Sequence, residues 1–166
     1  MQTMKKQLKL SFMIVFVSLF LLSGTHVFGQ MKTFTWDSYK TKFKVPEDFK
    51  IDESTSEKWI GSNAKINLSI YPRKDENLTH REMDKAVHQW AVDNGVTDIG
   101  EMVELDESKL NGYWGVLYEG KKDGFSIGTM LIVDPDYPNI SLYIWVSYDD
   151  IYSDTVLEML KSFTPN

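Results

Sequence analysis

No cysteine occurs anywhere in the chain. A disulfide framework and a thiol nucleophile are therefore excluded, and stability has to come from a packed core alone. Histidine is scarce too, at three residues. The chain carries no internal repeat, no low-complexity stretch and no linker. Long apolar runs are missing: the longest, Leu10 to Leu22, covers about 13 residues where a membrane-spanning helix needs about 20. Positive charge is in the minority, with 18 Lys and Arg against 24 Asp and Glu.

The short apolar run has a different meaning. Lys5, Lys6 and Lys9 precede it, Ser23-Gly24-Thr25 breaks it, and Val27 and Gly29 flank a cleavage point before Gln30. This is the three-part pattern of a secretory signal peptide, expected to leave residues 30–166 as one mature domain that is not inserted in a membrane, and that is secreted or periplasmic. No cysteine follows the run, so a lipid anchor is excluded. Loss of three lysines leaves 15 basic against 24 acidic residues, a net charge of −9. Such a balance excludes nucleic acid and anionic membrane surfaces as natural partners. About 137 residues are ample for one core.

The aromatic and β-branched residues concentrate between Gly112 and Phe163. Three strands are expected there, Tyr113–Glu119, Phe125–Asp134 and Ile140–Tyr148, followed by a helix closing at Phe163 and stopped by Pro165. Asp149, Asp150 or Ser153 is expected to cap that helix, with Val156, Leu157, Leu160 and Phe163 as its buried stripe. Both faces of the central strands are apolar, so the sheet should be covered on both sides, one helix to each. Upstream, Lys32–Trp36 and Tyr39–Val45 read as strands. Lys40, Lys42 and Lys44 form the outward row that an edge strand uses against mispairing. Glu47-Asp48-Phe49 reads as a turn region, and Ser54–Ile60 as a weak strand. Lys65–Tyr71 is a strand that Pro72 stops. Thr79-His80-Arg81-Glu82 is a capping box opening a helix to Asn94, with Met83, Ala86, Val87, Trp90 and Ala91 as its stripe and Gly95 as its left-handed stop. Val103 and Leu105 are expected to point inward from a strand over Glu101–Glu107.

Four stretches carry a resemblance: Phe43-Lys44-Val45-Pro46-Glu47-Asp48-Phe49, the mid-chain helix, Asn111-Gly112-Tyr113-Trp114 opening a meander, and Leu160-Lys161-Ser162-Phe163 at the end. In this order they resemble the PsbP-like α/β/α sandwich group, over the length from Trp36 to Phe163. The resemblance implies an α+β fold, a mostly antiparallel sheet of about six to eight strands with a helix on each face. It also implies a binding or accessory role instead of catalysis. It transfers no functional residue.

His80, Asp84 and His88 recur every fourth residue along one helix face, a row of potential Zn or Cu ligands. His80 and His88 lie about 12 Å apart along the axis, too far for one ion to join, so a solvated polar face is the expected role and no metal or other cofactor is expected. Asp134, Asp136, Asp149 and Asp150 suit turns and caps. No catalytic nucleophile is expected, because no histidine is placed beside one by a recognisable motif. A carboxylate pair is the remaining route to hydrolysis. Trp114 with Tyr118, and Tyr143 with Trp145, each share a strand face by parity, on strands expected to be neighbours. Left open, they would stack on a sugar, lipid or peptide side chain; covered by the closing helix, they would be core. The expected function is a monomeric, non-catalytic binding protein for a small ligand or an envelope protein, with a small hydrolase as the alternative.

Overall fold

Residues 29–105 and 110–166 are described by the computed structural model. The segment read as a signal peptide lies outside them but for Gly29. The elements are β1 (Met31–Trp36), β2 (Thr41–Pro46), β3 (Lys50–Ser54), β4 (Trp59–Ser62), β5 (Ile66–Lys74), α1 (His80–Asp93) and β6 (Val103–Leu105). They continue with β7 (Trp114–Lys122), β8 (Phe125–Val133), β9 (Ile140–Tyr148), α2 (Ser153–Lys161) and β10 (Thr164–Pro165). Seven strands form one antiparallel sheet in the order β3-β4-β5-β9-β8-β7-β6, and a second sheet has the order β1-β2-β10.

The two apolar faces of β7, β8 and β9 decide the layering. On one face Val116, Tyr118, Leu131, Val133 and Tyr143 pack against Met83 and Val87 of α1. On the other, Leu117, Met130, Ile132, Leu142, Ile144 and Val146 meet Val156, Met159 and Leu160 of α2, together with Trp36, Phe43 and Val45 of the small sheet. Phe43 is the hinge of that second layer, stacked on Phe163 at 4.7 Å and edge-on to Trp59 at 4.9 Å. The result is an α+β sandwich, with one face covered by a helix and the other by a helix plus a small sheet.

α1 starts as its sequence requires. Glu82 Oε2 accepts from the Thr79 amide at 2.9 Å and from its hydroxyl at 2.6 Å. Met83, Val87 and Ala91 are buried, Asn94 caps the end, and Gly95 takes φ +79°.

Several expectations are corrected. β2 is not an edge strand: β10 returns to pair Thr164 with Lys42 and Pro165 with Thr41, so the lysine row lies on the outer face of a central strand. Pro165 is part of that pairing, and α2 ends earlier, at Lys161. β5 runs past Pro72 to Lys74; β4 pairs it only as far as Ile70, so the proline sits where one flank is free and its missing N–H is tolerated. β3 falls where a turn and only a weak strand were expected, because an edge strand with almost every residue exposed has no apolar alternation to read. Val103 and Leu157 are 48% and 39% exposed, not inward. Met159 takes the expected place of Leu157 in the α2 stripe. Asp150 does not cap α2: its carboxylate accepts from Lys121 Nζ and from the Ser126 hydroxyl.

Candidate functional site

A single helix cannot roof this sheet. Seven strands spaced about 4.8 Å span about 29 Å, whereas a helix with its side chains is about 10–12 Å wide. α1 lies over β7 and β8. The same face therefore changes character beyond β9. One cross-strand row reads Tyr118, Thr129, Trp145, Ser69, Ile60 from β7 to β4. Its first two members are buried beneath α1, while Trp145 is half-buried at the helix margin. The neighbouring row ends in Tyr71, 38% exposed, and the row on the other side passes through Asn67, also exposed.

This open wing and the C-terminal half of α1 form a trough of about 630 Å³. Trp90 projects from α1 as its aromatic corner. Its ring lies 5.2 Å from Tyr143, 5.8 Å from Trp145 and 6.2 Å from Tyr71, in each case edge to face. Such T-shaped contacts hold the rings at set angles. A cation leans in from each end: the Arg73 guanidinium lies 4.1 Å from the Tyr143 ring centre, and Lys122 Nζ 5.5 Å from that of Trp145. Lys122 Nζ also donates to the Asn94 carbonyl at 2.7 Å, tying strand β7 to the end of α1. Asn67, Ser69, Asn94 and Glu57 complete the lining. Burial and the nearby Glu76 carboxylate push the Tyr143 phenol up to about 12, so it stays neutral beneath the trough.

The four aromatic residues singled out in the sequence do share a face. They are not on neighbouring strands, because β8 separates β7 from β9. Nor does the closing helix cover them: α2 lies on the opposite face, and α1 is the covering element. The quartet consequently divides. Tyr143 is buried as the floor and Trp145 lines the trough, while Trp114 and Tyr118 lie on β7 beside the His80–Asp84–His88 row.

Each member of that row has a partner on β6 or β7, and Asp84 and His88 share one. His80 Nδ1 is 3.3 Å from Glu104 Oε1 and its ring is 5.8 Å from that of Trp114. Asp84 Oδ1 accepts from the Tyr118 hydroxyl at 2.5 Å, and the His88 ring lies 5.2 Å from Tyr118. Burial, then the hydrogen bond to Asp84, raises the Tyr118 phenol to about 12. The row is thus a seam between α1 and β7 instead of a wholly solvated face. Among the described residues no group of three or more His, Asp or Glu side chains is placed to hold a metal ion.

Sequence reasoning missed Tyr71, Trp90, Arg73, Asn67 and Lys122 as parts of one site. The polar side of β5 was visible as Asn67, Ser69 and Tyr71, yet nothing local reveals that no helix lies over it. It also passed over Gly124-Phe125-Ser126-Ile127-Gly128, which has Gly-x-Ser-x-Gly spacing. A nucleophile elbow holds its serine on a strained strand-to-helix turn. Ser126 instead sits within β8 in register with Lys121 and Tyr148, has no positive φ, and is 1% exposed.

No family model matches the chain, and no curated protein matches it either. Solved structures do. The crystal structure of the Ran-binding protein Mog1p from Saccharomyces cerevisiae superposes with a TM-score of 0.55 at 12% identity, over 81% of this chain and 95% of that one. Cyanobacterial PsbP (CyanoP) from Synechocystis sp. PCC 6803 gives 0.54 at 12% identity, over 86% and 96%. The chain therefore has the PsbP/Mog1-type fold.

Proposed function

We propose that this is an extracytoplasmic, non-catalytic binding or accessory protein whose ligand face is the trough between α1 and the β5–β9 wing. The observation that carries the reading is the abrupt change along one sheet face, from sealed core under α1 to an open surface with half-exposed rings, amides and paired cations. Concave sites with an aromatic wall and a few directed polar groups are the usual form of a binding site. The export signal read in the sequence supplies the address. Mog1p, of the same fold, is described as Ran-binding, which accords with a fold used to present a binding surface; fold alone does not assign the ligand.

Two arrangements that the hydrolase alternative could use lack the needed geometry. Asp134 and Asp136 both line a cleft of about 350 Å³ beside Tyr113 and Tyr137. They stand two residues apart on one turn, where Asp134 Oδ1 accepts the Asp136 amide at 2.9 Å. A glycosidic pair flanks its bond from two sides. In the second place, Ser126 lies between Lys121 Nζ, at 2.7 Å, and the Asp150 carboxylate. Hydrogen bonds from Lys121 and Ser126 hold Asp150 below the usual aspartate range, and the buried Ser126 hydroxyl, 1% exposed, is out of reach of a substrate.

Hydroxyl-radical footprinting of the purified protein, with and without cell-envelope material, tests the proposal. Protection concentrated at Tyr71, Trp90 and Trp145 is expected. Protection elsewhere, or none, overturns it.

A further inference from the structure

We propose that the trough binds an oligosaccharide. The inference rests on the trough being the ligand face and adds the chemical class of the ligand. Its basis is what the lining contains and what it lacks. Three aromatic rings, two amides, a hydroxyl and charges of both signs line it, and Pro72 is the one purely aliphatic ring among them. There is no Leu, Ile, Val or Met in the lining.

That set discriminates among ligands. An acyl chain is held by an enclosed aliphatic pocket, and this trough is open and lined along β5 by Ser69 and Asn67. The buried centre of a protein interface is depleted in charge, whereas Arg73, Lys122 and Glu57 all reach this one. Single-stranded nucleic acid needs a positive channel, and the chain is acidic overall, with a formal net charge of −6. A pyranose ring has the complementary structure: C–H groups on its faces for the aromatic wall, and hydroxyls around its rim for amides, carboxylate and ammonium. The donors are in place. Lys122 Nζ has one hydrogen bond, to the Asn94 carbonyl, and leaves further N–H groups for a sugar oxygen beside Trp145. Asn67 is exposed on the wing and lines the trough, so its amide is available to a ligand there. The volume, about 630 Å³, accommodates more than one ring.

The test is binding of the purified protein to an array of neutral, N-acetylated and uronic-acid oligosaccharides, followed by titration of the best ligand monitored by tryptophan fluorescence. Neutral and uronic arms show whether Arg73 and Lys122 meet hydroxyls or carboxylates. Tyr71→Ala and Asn67→Ala alter positions on the open wing, and each is expected to weaken binding roughly tenfold, with the melting temperature unchanged in Asn67→Ala and cooperative unfolding kept in both. No saccharide bound, or binding unchanged in both variants, overturns the inference. The footprint separates this from failure of the underlying reading. If trough protection by envelope material survives periodate cleavage of glycan diols but is lost on proteolysis, the occupant is a protein: the saccharide falls and the trough stands. If the trough is never protected, both fall.

Discussion

Tyr113 joins the two sheets, and alkaline pH should find it. Its ring is 2% exposed and its hydroxyl lies 2.8 Å from Thr41 Oγ1 on β2. Burial pushes the phenol up to about 12. In the unfolded chain a tyrosine titrates near 10. Between those values the unfolded state has released its proton and the folded state retains it. Unfolding therefore releases a proton, and stability falls as pH rises. The stabilisation is fully present below about pH 10 and declines through about pH 12, by about 2 kcal/mol for this one group. Tyr113→Phe removes that dependence. At neutral pH the same substitution costs about 1 kcal/mol through the lost hydrogen bond. The cost stays small because the Thr41 hydroxyl also donates to the Tyr39 carbonyl at 3.1 Å. Urea unfolding at a series of pH values from neutral to about 12 measures both effects. The wild type should lose stability more steeply than the variant above pH 10, by about one proton, so the two curves converge and cross. Parallel curves would refute the assignment of Tyr113 as a buried neutral group.

Phe163 and Gly95 offer simpler checks. Phe163→Ala removes a fully buried ring stacked on Phe43 and should cost about 3–5 kcal/mol, read as a lower denaturant midpoint with an unchanged slope; a cost under about 1 kcal/mol would mean the small sheet is not held by this contact. Gly95→Ala has open space for the methyl, with nothing closer than 3.9 Å, but places alanine at φ +79°. Backbone strain alone should then lower stability by about 1 kcal/mol, and an unchanged melting temperature would show that the α1 stop relaxes.

Much of the frame was legible because it is written in local chemistry. The boundaries of α1 follow from Thr79, Glu82 and Gly95, each of which satisfies or ends a backbone pattern within a few residues. The need for cover on both sheet faces follows from alternation in Phe125–Val133 and Ile140–Tyr148. Pairings between distant segments left no such trace. β3 has no apolar alternation, and β10 is two residues long; each exists because a partner strand offers its edge. Lys42 and Lys44 look the same in sequence on an edge strand as on a central one.

The candidate site shows the same division more sharply. Tyr143 and Trp145 were recognised as rings on one sheet face, since parity along a strand is a property of the backbone. Whether that face is roofed is not. Trp90 read as one more member of a helical stripe, and Tyr71 as the polar side of a strand, and both readings are locally right. They become one trough because α1 settles over β7 and β8, drawn by the apolar patch of Val116, Leu131 and Val133, and is too narrow to cover β5. Composition and periodicity by themselves determined the elements, the acidic surface and the two-faced core. The tertiary structure decided which half of one face stays open, because helix position is set by the sum of contacts across strands far apart in the chain.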